Sequence, residues 1–127
     1  MKPVLAPLLL VSSIGLVHAE VKVERIDYQI DDQPYQGLLV YDDAVTTPRP
    51  GLLMVPNWLG ATERAAEKAA RAASDTYVVF VADLYGKDMR PSGPEDAGTF
   101  AGALRGDRPL MRKRVQASLD ELLKRTD

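Results

Sequence analysis

The sequence predicts an α/β domain in which a β-hairpin precedes a βαβ unit of a mostly parallel sheet. Three patterns support this fold class. Residues 21–41 hold two strand-like runs separated by turn formers, and residues 51–55 and 77–82 are continuous apolar runs. The segment between these two runs is rich in alanine at helical spacing. Apolar strands joined by a helix are typical of a parallel sheet that is covered on both faces.

The hairpin is predicted from loose alternation and from turn chemistry. Residues 21–30 alternate between apolar and polar side chains, which favours a strand with one polar face. Residues 31–34 (DDQP) are turn formers, and residues 35–41 form the second strand. Residues 42–50 (DDAVTTPRP) then predict a loop.

The βαβ unit begins with residues 51–55 (GLLMV), which do not alternate and therefore predict a strand buried on both faces. Thr62 is the expected N-cap of a helix that ends at residue 73. The apolar face of this helix consists of small side chains, at Ala65, Ala66, Ala69, Ala70 and Ala73. Residues 77–82 (YVVFVA) predict a second buried strand, which ends at Asp83.

The remaining residues predict a long loop and two helices. Residues 84–98 are rich in glycine, proline and charge, and residues 94–104 are weakly helical. Asp107 is the expected cap of a stronger helix. Its apolar stripe is Met111, Val115, Leu119 and Leu122. The sequence ends behind this helix without a strand to receive it, so we expect the front portion of a larger α/β domain.

Composition excludes several classes of protein. The chain has 127 residues with no cysteine, which excludes a disulfide scaffold and a cysteine-ligated metal site. Its 46% hydrophobic content excludes a disordered tail. The formal charge of -2 gives no electrostatic reason to expect nucleic acid as a partner.

Residues 1–19 have the pattern of a secretory signal peptide, with Lys2 before an apolar run and small residues at positions 17 and 19. The run of about 14 residues is shorter than the roughly 20 that a membrane-spanning helix needs. We therefore expect export to the periplasm or the medium, cleavage after Ala19, and no membrane span in the domain at 20–127. An uncleaved anchor is the alternative. Cleavage also removes His18, the single histidine, so no Ser-His or Cys-His pair can be completed within the mature residues.

Two motifs carry a resemblance to a known family. Residues 56–60 (PNWLG) and 82–86 (ADLYG) follow the two buried strands, and from about residue 23 to the last helix the sequence resembles the dienelactone hydrolase family of α/β-hydrolases. The resemblance implies the N-terminal part of that fold, truncated before the nucleophile strand. It implies hydrolysis of a small carboxylic ester or lactone through an acyl-enzyme. The nucleophile (Cys or Ser), Asp and His would lie beyond these residues, so we expect the fragment to be inactive alone.

The resemblance also implies site residues. The backbone N–H of Trp58 matches an oxyanion-hole donor of the family, and Asn57 occupies the position of the family's glutamate. The substrate-binding arginine of the family lies after the second buried strand, where Arg90 and Arg105 are candidates, and Tyr85 is a candidate for the pocket wall. No cofactor and no metal are implied.

Each of these residues also has a purely structural interpretation. Asn57 is suited to an Asx-type turn that caps helix 62–73, and Trp58 to an aromatic lid or a core position. Tyr85 is suited to half-buried packing with a hydrogen-bonded hydroxyl, and Arg90 to an exposed loop. Asp83, at a strand end, is suited either to a phosphoacceptor or metal site or to binding backbone N–H groups in its own turn.

Two other functions fit the sequence. A non-catalytic small α/β binding or interaction domain predicts a soluble monomer. A receiver-like or nucleotide-binding βαβ protein predicts stabilisation by Mg²⁺ or nucleotide. In the hydrolase interpretation, strand 51–55 would be an open apolar edge through which the chain can self-associate.

Overall fold

The computed structural model describes residues 20–74 and 76–125. The predicted signal peptide therefore lies outside the described residues. Seven elements follow one another along the described part of the chain: β1 (Val21–Ile30), β2 (Gln33–Asp42), β3 (Gly51–Met54), α1 (Glu63–Ala73), β4 (Val78–Val81), α2 (Pro94–Gly106) and α3 (Arg108–Leu123). This order confirms the predicted hairpin followed by a βαβ unit.

The four strands form one sheet in the order β1-β2-β4-β3. β1 pairs with β2 and β2 pairs with β4 in antiparallel directions, whereas β3 and β4 are parallel. Phe80 marks the register, since it lies opposite Leu39 on β2 and opposite Leu53 on β3. The hairpin and the βαβ unit therefore share one sheet, and among the described residues β1 and β3 are its two edges.

Two local features allow the hairpin to lie against β4. Asp31 and Asp32 both adopt positive φ (48° and 64°), as the tight turns that suit the twist of a hairpin require. Gly37 leaves room for the ring of Phe80, because a Cβ at this position would lie 2.3 Å from Phe80 Cζ. A side chain at residue 37 would therefore force the central aromatic ring out of the sheet surface.

Helix α1 covers one face of the sheet. Thr62 is its N-cap, as predicted, and the Thr62 Oγ1 atom accepts a hydrogen bond from the Ala65 N–H at 3.3 Å. The small side chains of the helix allow a close approach to the strands. The buried alanines pack with the strand residues Leu38, Val40, Val79 and Val81.

Helices α2 and α3 lie on the other side of the sheet. Asp107 caps α3 by accepting a hydrogen bond from the Leu110 N–H at 3.0 Å, which confirms the predicted cap. From α3, Leu122 packs into a cluster on this face with Tyr28 and Phe80. From α2, Leu104 packs with Ala82 and Leu84 at the end of β4. The sheet is thus a middle layer between helices.

One prediction about the strands is wrong. Residues 51–55 do not form a strand buried on both faces: β3 is Gly51–Met54, with Gly51 and Leu52 exposed and the next two residues half-buried. The reason is its place in the sheet, where β4 is its only neighbouring strand among the residues that the structure describes. β4 itself is buried along its whole length, as predicted.

Candidate functional site

The candidate site lies where the loops after β3 and β4 meet. These strands are parallel, so their carboxyl ends share one edge of the sheet, which is where open α/β sheets bind ligands. A cavity of about 160 Å³ opens between the two loops and the helices α2 and α3. It is lined by Pro56, Asn57, Trp58, Gly60, Leu84, Tyr85, Ala101, Leu104, Arg105 and Met111.

The loop after β3 is a tight turn built by Asn57. The Asn57 Oδ1 atom accepts a hydrogen bond from the Leu59 N–H at 3.0 Å, and its carbonyl accepts one from the Gly60 N–H at 2.9 Å. Gly60 closes the turn with φ of 83°, a conformation that favours glycine. The Asx-type turn is therefore present, but Thr62, and not Asn57, caps α1.

This turn determines where the Trp58 N–H points. The Asn57 carbonyl and the Trp58 N–H belong to one trans peptide unit and point in opposite directions. Because the carbonyl faces Gly60 inside the turn, the N–H faces outward. Within residues 20–74 and 76–125, no group accepts a hydrogen bond from it. Trp58 is 44% exposed, which excludes the alternative of a core residue.

Tyr85 links the second loop to the first. Its hydroxyl donates a hydrogen bond of 2.8 Å to the Trp58 carbonyl, and its ring packs edge-on against Phe100 at 5.5 Å between centroids. Burial raises the pKa of Tyr85, while the positive charge of Arg105 acts in the opposite direction. Tyr85 also lines the cavity, so it combines hydrogen-bonded packing with a place in the pocket wall.

Asp83 holds the loop after β4. Its carboxylate is fully buried, and its Oδ1 atom accepts hydrogen bonds from the N–H groups of Tyr85 and Gly86, both at 3.0 Å. The Oδ2 atom accepts a third from the Gln36 N–H at 3.0 Å. These contacts agree with the expected binding of backbone N–H groups. In the part of the chain that the structure describes, no group of three or more acidic or histidine side chains is placed to hold a metal ion.

The two candidate arginines lie in different environments. The Arg90 guanidinium contacts other residues of the chain. Its Nη2 atom donates a hydrogen bond to the Gln36 carbonyl at 3.0 Å and lies 3.8 Å from Asp83 Oδ2. It does not line the cavity, whereas Arg105 does. A substrate-binding role for Arg90 stays a prediction, and the geometry brings Arg105 to the site.

The apolar wall of the cavity was missed from the sequence. Ala101 and Leu104 reach it from α2, and Met111 reaches it from α3. The stripe of α3 contained Met111, but periodicity alone does not separate a residue that packs under the sheet from one that faces a cavity.

Comparison with known proteins identifies the family. The model of the dienelactone hydrolase family matches residues 35–127. The chain belongs to the dienelactone hydrolase family. The resemblance seen in the motifs at 56–60 and 82–86 is thereby confirmed, and so is the expected fold.

Solved structures give the same fold. A dienelactone hydrolase-like promiscuous phosphotriesterase from metagenomic libraries is 28% identical to this chain, with a TM-score of 0.73 over 81% of it. A protein named m3DLH is also 28% identical, with a TM-score of 0.75 over 83% of this chain. A putative dienelactone hydrolase from Klebsiella pneumoniae subsp. pneumoniae MGH 78578, 13% identical over 64% of this chain and 35% of its own, shows the fold alone, with a TM-score of 0.51.

This dienelactone hydrolase family chain spans only part of its relatives. It covers 43% of the phosphotriesterase and 44% of m3DLH. No curated protein matches the chain. Within residues 20–74 and 76–125, no helix has both the length and the apolar character needed to cross a bilayer.

Proposed function

We propose that this chain forms the oxyanion side of the pocket of a carboxylic ester or lactone hydrolase. The observation that carries the proposal is the Trp58 N–H, which has no acceptor among the described residues and belongs to a residue that lines a cavity beside the ends of β3 and β4. The chain has no cysteine, and its single histidine is at position 18. The histidine of the complete enzyme is therefore supplied from outside residues 20–127, and by the family resemblance the nucleophile and the acid come from there as well.

The proposed chemistry is acyl transfer. The nucleophile adds to the carbonyl carbon of the substrate, and the carbonyl oxygen becomes an oxyanion that accepts a hydrogen bond from the Trp58 N–H. The alcohol leaves, an acyl-enzyme remains, and water then releases the acid. A lactone gives a hydroxy acid by the same steps. A preorganised backbone donor stabilises the oxyanion by about 3–4 kcal/mol.

Asn57 has a different role from that of the family's glutamate. Its side-chain oxygen is bonded to the Leu59 N–H at 3.0 Å, and an amide does not take up a proton at neutral pH. Asn57 therefore shapes the turn that presents the Trp58 N–H. Ionisation of the nucleophile then depends on the histidine of the complete enzyme.

The cavity favours a small substrate with an apolar body. Leu84, Leu104 and Met111 supply apolar walls, and Tyr85 supplies an aromatic one. Arg105 is the charged residue among those that line the cavity, and its guanidinium suits a substrate that carries a carboxylate besides the ester. Arg90 does not line this cavity, and its Nη2 atom donates a hydrogen bond to the Gln36 carbonyl of β2.

Export is the second part of the proposal. The support is the sequence of residues 1–19, in which an apolar run follows Lys2 and ends at a Val-His-Ala cleavage pattern. Expression of the full chain in a Gram-negative host, followed by intact-mass measurement of the periplasmic protein, is expected to show a chain that begins at Glu20. A cytoplasmic protein of full mass would contradict export.

Self-association through strand 51–55 is the third part. Among the described residues β3 has a neighbouring strand on one side only, and Leu52 on β3 and Val55 directly after it are exposed. An apolar groove of about 520 Å³ runs alongside, lined by Val55, Leu84, Met111, Arg112, Val115 and Gln116. Unpaired strand edges with apolar flanks favour pairing with another copy. The alternative function, a non-catalytic binding domain, predicts a monomer.

Hydrolysis of p-nitrophenyl acetate and of a simple lactone tests the function. The full chain alone is expected to react at the buffer rate. A chimera in which this chain replaces the matching part of m3DLH is expected to hydrolyse both substrates. In the chimera, Trp58→Pro removes the N–H and is expected to lower kcat by about 10²–10³. The matched Trp58→Phe variant keeps the N–H and is expected to keep the activity.

Two results would contradict this proposal. Hydrolysis by the full chain alone above the buffer rate would place the reacting groups within these residues. Equal activities of the folded Trp58→Pro and Trp58→Phe chimeras would exclude the Trp58 N–H from catalysis. Circular dichroism melting of each chimera establishes that it is folded before it is assayed.

A further inference from the structure

Three hydrogen bonds converge on the two peptide units around Trp58. The unit between residues 57 and 58 is held at its carbonyl by the Gly60 N–H at 2.9 Å. The unit between residues 58 and 59 is held at both ends. Its N–H donates to Asn57 Oδ1 at 3.0 Å, and its carbonyl accepts from the Tyr85 hydroxyl at 2.8 Å.

These bonds differ in what they fix. The two that involve Asn57 close the turn on itself, so they would persist if the turn moved as a unit on its flanking residues. The bond from Tyr85 comes from a residue 27 positions away, in the loop after β4. It is therefore the bond of the three that sets the orientation of the turn relative to the sheet.

Tyr85 is itself held firmly. Its backbone N–H donates at 3.0 Å to the fully buried carboxylate of Asp83, and its ring packs edge-on against Phe100. Gly60 allows the ring to approach the turn, because a Cβ there would lie 3.3 Å from Tyr85 Cδ2. Tyr85 thus connects the buried Asp83 carboxylate at the end of β4 to the Trp58 carbonyl.

We propose that Tyr85 is a positioning residue: by donating its hydroxyl hydrogen bond to the Trp58 carbonyl, it fixes the direction in which the Trp58 N–H points. This inference rests on the proposed function, in which that N–H binds the oxyanion. Oxyanion donors act through preorganisation, so a hydrogen bond that keeps the turn from rocking raises the rate through the position of the Trp58 N–H.

The raised pKa of Tyr85 is consistent with this role. Burial is the main cause, and it favours the neutral phenol, which is the form that can donate the hydrogen bond. The donor therefore persists through neutral and mildly alkaline pH.

Nuclear magnetic resonance of the full chain tests the proposal directly. The chain has one tryptophan, so [1-¹³C,¹⁵N]tryptophan labelling gives one carbonyl signal and one backbone amide signal, both from residue 58. The carbonyl shift reports the hydrogen bond from Tyr85. The residual dipolar coupling of the amide in an aligned sample reports the direction of the N–H.

Tyr85→Phe removes the hydroxyl and keeps the ring. We expect the Trp58 carbonyl signal to move upfield and the N–H coupling to move towards zero as the turn begins to rock. Tyr77→Phe is the matched control, since Tyr77 is 37% exposed and its phenol makes no hydrogen bond within residues 20–74 and 76–125. It is expected to leave both signals unchanged. If Tyr85→Phe does not fold, Phe100→Leu, which removes the support of the ring, is expected to produce the same two changes.

The results separate the two proposals. A folded Tyr85→Phe chain with an unmoved carbonyl signal or an unchanged N–H coupling would overturn the positioning role, whether or not the chimera hydrolyses esters. Changes of equal size in Tyr77→Phe would overturn it as well. An inactive chimera together with the expected spectral changes would instead overturn the proposed function and leave the orienting contact established.

Discussion

The carboxylate of Asp83 accepts a 3.0 Å hydrogen bond from the backbone N–H of Gln36, so a side chain at the end of β4 is bonded to the main chain of β2. The same carboxylate holds the N–H groups of Tyr85 and Gly86. One buried anion therefore joins the hairpin, the central strand and the loop that supports the site. Hydrogen bonds to a charged acceptor are stronger than neutral ones, which makes this junction sensitive to substitution.

We expect Asp83→Asn to lower the free energy of unfolding by about 2–3 kcal/mol, because an amide offers one acceptor oxygen where the carboxylate offers two and leaves a buried N–H without a partner. Urea denaturation followed by circular dichroism measures the change. Asp88→Asn, in the same loop but exposed, is the control and is expected to stay within about 0.5 kcal/mol of the parent. Equal effects of the two substitutions would contradict the role of Asp83 as a junction.

Two glycines are expected to respond in opposite directions to alanine. Gly60 has φ of 83° and lies against the Tyr85 ring, so Gly60→Ala is expected to destabilise the fold. The left-handed backbone alone costs about 1–2 kcal/mol. Gly102 lies within α2, and a Cβ there would meet nothing within 4 Å. Gly102→Ala is therefore expected to stabilise the chain by about 1 kcal/mol through helix propensity. Thermal melting of both variants checks the signs, and a shift of the same sign in both would show that backbone conformation does not distinguish the two positions.

Alkaline pH is expected to weaken the fold through Tyr28. Burial is the main cause that raises the pKa of this phenol to about 12, while its oxygen lies 3.1 Å from Ser118 Oγ. In the unfolded chain the phenol has a pKa near 10. Between these values the unfolded state loses a proton that the folded state keeps, so stability is fully present below pH 10 and falls as the pH rises towards 12.

Tyr28→Phe is expected to flatten this decline while lowering stability at neutral pH by about 1 kcal/mol through the lost hydrogen bond. Melting temperatures measured from pH 8 to about 12 test the expectation, with Tyr77→Phe as a matched control that keeps the parent slope. A Tyr28→Phe curve parallel to that of the parent would show that another group causes the alkaline loss.

The two edges of the sheet are expected to differ in association. β3 carries Leu52 at 38% exposure, whereas on β1 the residues on both sides of Val23 are charged. Leu52→Lys is expected to shift the chain towards the monomer in size-exclusion chromatography with light scattering, because charge blocks edge pairing. Val23→Lys, on the opposite edge, is the matched control and is expected to leave the mass unchanged. A parent chain that is monomeric at all concentrations would favour the non-catalytic alternative.

Local chemistry explains how much of the fold could be predicted. Three features were predicted because each depends on residues close together in the sequence. They are the turn at residues 31–34, the cap at Thr62 and the alanine face of α1. The predicted burial of residues 51–55 on both faces was wrong because burial depends on distant residues. An apolar run predicts burial, but the exposure of β3 depends on how many strands pair with it, and that is not a property of the run.

In the site, too, the features that depend on neighbouring residues were predicted and those that depend on distant residues were not. The motif at residues 56–60 predicted an Asx-type turn and, through the family resemblance, a backbone donor at Trp58, since asparagine and glycine at that spacing favour a turn. It did not predict that Tyr85 would bind the Trp58 carbonyl, because the partners are 27 residues apart and meet only when β3 and β4 lie side by side. Nor did it separate Arg90, which bonds to the Gln36 carbonyl, from Arg105, which lines the cavity, because these contacts form only in the folded chain.

By itself the sequence determined the class of the domain, the order of its elements and the family, since these follow from periodicity, caps and short motifs along the chain. Only the tertiary structure decided that Gly51 and Leu52 are exposed, that Arg105 and not Arg90 lines the cavity, and that the Tyr85 hydroxyl reaches the Trp58 carbonyl. Those facts arise from pairing between distant segments, where the energy comes from contacts that exist only once the sheet has formed.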